Sequence, residues 1–128
     1  MKTRFLFAMM AAVVLTLSAA TAGDEKAAAK AEDKASVVKG EVLDLSCYLG
    51  HGGMGEGHAG CAAKCVKGGQ PMGLLGADGA VYVLYADHGD AAPFEKAKEL
   101  AGKQVEITGD VATKSGMKGI TVHGVKAL

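Results

Sequence analysis

The sequence predicts a mainly β domain: a five-stranded Greek-key barrel with a helix between strands 3 and 4 and a long Cys/His loop after strand 1. Three observations carry this. Short apolar–polar alternations recur from Val37 onward, which is the period of half-buried strands. Glycine-rich turn sequences separate them. A single helical pattern, around Phe94 to Ala101, falls between the third and fourth alternating runs.

The barrel is expected to begin only after two other segments. Met1 to Arg4 is a short basic start, and Phe5 to Leu17 is an uncharged apolar run. Ala20-Thr21-Ala22 then supplies the small-x-small pattern of a signal-peptidase site, so residues 1–22 read as a signal peptide cleaved after Ala22. The apolar run is too short to span a bilayer comfortably. The expected localisation is therefore periplasmic or secreted, with no membrane attachment after cleavage. Residues 23–36 read as a flexible linker of alanine and alternating charge (Asp24 to Ala35), with no apolar stripe to bury. Residues 37–128 make up the folded domain, small but large enough for one core.

The first strand runs Val37 to Tyr48. Val38, Gly40 and Val42 alternate, then the phase slips so that Leu43, Leu45 and Cys47 continue the pattern. A slip of one residue turns the side chains to the other face, which requires a bulge or a strong bend. From Leu49 to Pro71 the chain is glycine-rich with no strand pattern, but His58 to Lys67 has helical character, ended by Gly68-Gly69. Met72 to Leu75 and Ala80 to Ala86 are short strands joined by the turn Gly76-Ala77-Asp78-Gly79. Asp90 caps a helix with Pro93 in its first turn, running through Leu100 and stopping at Gly102. Its buried face is Phe94, Ala97, Leu100 and Ala101. Val105, Ile107, Gly109 and Val111 alternate as a half-buried strand. After the Lys114-Ser115-Gly116 turn, Ile120 and Val122 open the last one.

Val38-Lys39-Gly40-Glu41-Val42, the run from Leu100 to Gly109 (LAGKQVEITG), and the closing Gly119-Ile120-Thr121-Val122 carry a resemblance. From Val37 to Leu128 the chain resembles the OB-fold, and in particular small exported bacterial OB-like proteins. The resemblance implies a closed barrel whose first strand bends to serve two neighbours. The Cys/His-rich insertion after that strand is longer than such a barrel needs. A fold of this kind implies no particular activity.

Chemistry is concentrated in that insertion. Cys47, Cys61 and Cys65, the only three cysteines, lie with His51 and His58 inside a single 19-residue stretch. On a helix over His58 to Lys67, steps of three and four put His58, Cys61 and Cys65 within an arc of roughly 60°. Cys47, expected at the end of the first strand, supplies a third sulfur, and His51 a spare nitrogen. Thiolate and imidazole ligands in such a set suit Zn²⁺ or Cu⁺, and the nearby thioethers of Met54 and Met72 lean toward copper.

Other readings of the cysteines stay open. An odd number of thiols in an oxidising compartment means a shared metal or one bridge with a thiol left over. A disulfide from Cys47 to Cys61 or Cys65 would staple the loop, adding about 2–4 kcal/mol, and would leave an envelope structural or interaction module. A redox pair, Cys61 with Cys65, would make a thiol oxidoreductase, although two cysteines four apart on a regular helix are poorly placed to bridge. Haem attachment is excluded, since no Cys-x-x-Cys-His occurs. The glycines from Gly50 to Gly60 serve a metal or a staple equally, letting the backbone turn tightly at an entropic cost.

Charge removes further classes. The 14 basic and 14 acidic residues balance, and signal cleavage removes Lys2 and Arg4 but no acid. No basic groove therefore recommends nucleic acid or an anionic membrane surface. Partners reduce to a metal ion and, in the structural reading, an envelope protein. His88 and His123 read as surface residues. Glu41, Asp44 and Asp110 read as strand charges facing water, with no nucleophile–base pair to assign as catalytic.

Overall fold

The computed structural model describes residues 35–128. The segment 1–22 read as a signal peptide and nearly all of the 23–36 linker lie outside the described residues. Five strands close into a barrel: β1 (Ser36–Asp44), β2 (Met72–Gly76), β3 (Val81–Ala86), β4 (Gln104–Lys114) and β5 (Met117–Ala127). Three helices accompany them: α1 (Leu45–His51), α2 (Ala59–Lys67) and α3 (Ala92–Glu99), with a 3-10 turn at Glu56–His58 leading into α2. Around the barrel the order is β1-β2-β3-β5-β4, returning to β1. The β3–β5 pair is parallel and the other four are antiparallel. The predicted mainly β barrel, with a helix between its third and fourth strands, is the architecture observed.

The phase slip in β1 has a plain cause. Ser36 to Glu41 pairs with β4, while Gly40 to Asp44 pairs with β2, so one strand bends from one neighbour to the other. Val42 joins the barrel core, and Leu43 is buried on the opposite face. The strand ends four residues earlier than the alternation suggests. Leu45 to His51 is helix, so Cys47 belongs to α1 and not to the end of the first strand.

The core is built by alternation along the strands. Val42, Leu74, Leu84, Val105, Ile107, Ile120 and Val122 fill the barrel, and Ala62 and Val66 of α2 and Ala97 of α3 pack into it. Phe94 and Leu100 add partly buried surface beside Ala97 and Ala101, the face expected for α3. Tyr82 is buried and Tyr85 exposed, as opposite faces of one strand require. Between Thr108 and Gly109 the β4–β5 register shifts, leaving His123 without a β4 partner. No helix among the described residues is long and apolar enough to cross a membrane.

The β2–β3 turn carries a testable electrostatic contact. Asp78 accepts from the Ala80 N–H and from the Tyr82 hydroxyl, each at 3.0 Å. The Ala80 N–H first, and then Tyr82, hold its carboxyl below the ordinary carboxylate range. A carboxyl with a lowered folded pKa stabilises above its unfolded pKa and loses that contribution as pH falls through the folded value. The advantage of the parent over Asp78→Asn in a urea midpoint should therefore be present near neutral pH and shrink below about pH 4. An advantage unchanged in strong acid would contradict it.

Candidate metal centre

The site is assembled by two short helices that follow β1. Asp44, the last residue of β1, caps α1: its Oδ1 accepts the Ser46 N–H at 2.9 Å. Gly52 ends α1 in the left-handed region at φ 72°. The start of α1 is tied across the insertion by Leu45 N–H to Pro71 O at 2.9 Å, and the Ser46 hydroxyl bonds Gln70 Oε1 at 2.6 Å. These contacts hold the two ends of the insertion together. Ala62 and Val66 then anchor α2 in the barrel core, and Cys61 and Cys65, each one residue earlier, lie about 100° round the helix from them.

Two groups of ligand atoms result. In one, Cys47, His58 and Cys61 bring their atoms within 4.8 Å of one another; in the other, Asp44, Cys47 and Cys65 do the same. Spacings of that size fit donors around one ion at about 2.0–2.3 Å. These atoms are close enough to hold a metal ion. All three cysteines are free thiols; Cys61 is exposed, while Cys47 and Cys65 are half-buried. His58 sits in the 3-10 turn and occupies the N-cap position of α2, so the helix itself begins one residue after it.

His51 belongs to neither group. Its exposed ring stands edge-on to His58, centroids 5.5 Å apart. Gly53 makes this arrangement possible: a Cβ there would come within 2.7 Å of His58 Nε2 and 3.0 Å of His51 Cε1. The two imidazoles occupy the space a side chain would need.

Asp44 is the residue that reading the chain as alternating strands misses. It does not face water but is 1% exposed, and Glu41 is 5% exposed. The expectation that both are solvated strand charges is overturned, because the insertion folds back over this part of β1. Glu41 accepts the Gly55 N–H and so holds the segment between the two histidines. It also lines a cleft of about 470 Å³ with Gly55, Ala59 and Gly102, a cleft that contains no cysteine or histidine. A sequence signal for Asp44 does exist: an Asp followed by seven residues and then Gly52-Gly53 is a helix start and stop.

The electrostatics are those of a site lacking positive charge. Burial pushes the Asp44 carboxyl up, but the facing Cys47 and Cys65 thiols and the Ser46 and Cys47 N–H groups outweigh it. Its pKa ends below the ordinary value. The Asp44 carboxylate, with help from burial and from the neighbouring cysteines, pushes the Cys47 thiol up to about 12. Cys65 is raised by Asp44 first, then by burial and by Cys61. The buried side-chain atoms that make no conventional hydrogen bond, among the described residues, are His58 Nε2 and Asp44 Oδ2, the latter on a carboxylate that has only the weakly donating Cys47 and Cys65 thiols beside its Ser46 and Cys47 N–H contacts. Such atoms are costly to leave unmatched. Both fall in this cluster.

Comparison with protein families, with curated proteins and with solved structures finds no match.

Among the described residues, the remaining polar groups form no comparable centre. His123 Nε2 lies 3.3 Å from Asp110 Oδ2 and 3.6 Å from Asp87 Oδ2, all on half-open surface. Asp110 thus has an ionisable partner where the sequence suggested only solvent.

Proposed function

We propose that this chain is an exported soft-metal-binding protein, holding Zn²⁺ or Cu⁺ through Cys47, His58, Cys61 and Cys65, with Asp44 as a further ligand and His51 as a substitute. The observation that carries the reading is the convergence of sulfur and imidazole donors in one trio and of sulfur and carboxylate donors in another, each within 4.8 Å, with a buried unmatched atom on a residue of each. A cation supplies the missing partner. Export rests on the pattern in residues 1–22 and places the ion in the periplasm or outside the cell. There the protein buffers the ion or delivers it.

Binding must displace thiol protons, because the Asp44 carboxylate favours the protonated form of Cys47 and Cys65. The apparent affinity should accordingly rise between about pH 6 and about pH 8, with protons released into the buffer.

Metal content and thiol count, measured on one native sample, test the proposal. The expected result is bound metal, with all three thiols masked until a chelator frees them. Metal-free protein with one reactive thiol before reduction and three after it would overturn the reading. That outcome would favour a loop staple, for which Cys47 is suitably near both Cys61 and Cys65. The chain would then be an envelope structural or interaction module.

A further inference from the structure

Resting on the metal-binding reading above, we propose that the cluster holds two divalent ions bridged by the Cys47 thiolate. Five side chains converge, one more than a tetrahedral ion takes. They do not converge as one set. The donors form two separate trios, Cys47/His58/Cys61 and Asp44/Cys47/Cys65, and Cys47 is the one member common to both. Neither His58 nor Cys61 belongs to the trio of Asp44, so a single ion would leave part of the cluster unused.

The unmatched atoms are distributed in the same way. Asp44 Oδ2 belongs to a side chain 1% exposed in one trio, and His58 Nε2 lies buried on the imidazole of the other. Each trio therefore contains a residue with a buried group lacking a conventional partner.

Charge agrees. In the bound form Asp44, Cys47, Cys61 and Cys65 bring four negative charges, with His58 neutral. With both trios occupied, two divalent ions cancel them, whereas two monovalent ones would leave a net −2 beside a buried carboxylate. Uncompensated charge in such a place is strongly disfavoured. The class of ligand is thus a divalent, thiolate-tolerant cation such as Zn²⁺, which accepts carboxylate, imidazole and sulfur together. Each ion has three protein ligands and keeps a position open to solvent or to an incoming donor. The Cys47/His58/Cys61 ion is the more accessible, since Cys61 is exposed.

Zinc titration of the reduced chain, with bound ions counted by native mass spectrometry, tests this. The parent should take two ions, and Cys61→Ser and Asp44→Asn one each. Asn keeps the cap on α1, and circular dichroism of the metal-free variants separates lost binding from lost folding. One ion in the parent, abolished by Cys61→Ser, would overturn the two-ion assignment while leaving the metal-binding reading intact. Two ions retained in Asp44→Asn would also overturn it, by removing Asp44 from the centre. No ion in the folded, reduced parent would overturn both.

Discussion

Cys47→Ser weakens zinc binding in both trios at once: its affinity for zinc falls by about 100-fold or more, while Cys61→Ser and Cys65→Ser each lose less. The reason is position. Cys47 is the ligand that both trios share, so its sulfur cannot be lost from one without being lost from the other. Outer-sphere partners of a metal typically contribute 10–100-fold in affinity, and a shared ligand contributes at least that. Serine preserves the volume, and Cys47 is only half-buried on a helix capped by Asp44 and ended by Gly52, so the metal-free fold survives. Competition against a zinc indicator measures the effect. Equal losses across all three cysteine variants would mean that no sulfur is shared, and binding at parental strength would remove Cys47 from the centre.

Gly40→Ala costs about 3 kcal/mol or more of folding stability, because the clash is with backbone and not with a movable side chain. A Cβ at Gly40 would stand 2.1 Å from Leu75 O, 2.8 Å from Leu75 C and 3.0 Å from Gly76 Cα. Gly40 is also where β1 passes between partners, paired with Gly76 on one side and Val105 on the other. Relief therefore requires strands to move apart at the bend that closes the barrel. For a domain of this size the melting temperature should drop by about 12 °C or more. Gly57→Ala is the control: nothing lies within 4 Å of a Cβ there, and stability should change by no more than about 0.5 kcal/mol. Equal melting temperatures for the two variants would show that β1 gives way at little cost.

Most of the barrel can be read from local patterns. The alternation of Val105, Ile107, Gly109 and Val111 marks β4 because each strand residue's face follows from its neighbours alone. The spacing of Phe94 and Ala97, continued by Ala101 just past the helix end, marks α3 for the same reason. α1 is misread because Leu43, Leu45 and Cys47 continue an alternation that a seven-residue helix interrupts. A helix that short shows barely two turns of periodicity, and it is defined by its ends, the Asp44 cap and Gly52. The clustering of cysteines and histidines is visible along the chain, since the ligands lie close together in it.

Composition, periodicity and turn residues along the chain were enough for the β barrel, its helix between β3 and β4, and the identity of the stretch that bears sulfur and imidazole. Those features depend on contacts between near neighbours. The partnership of Asp44 with Cys47 and Cys65, the burial of Glu41, and the exclusion of His51 from both trios were decided only by how the whole insertion packs on the barrel. A carboxylate at a strand end faces water or thiols according to what folds back over it, and no residue beside it in the chain carries that information.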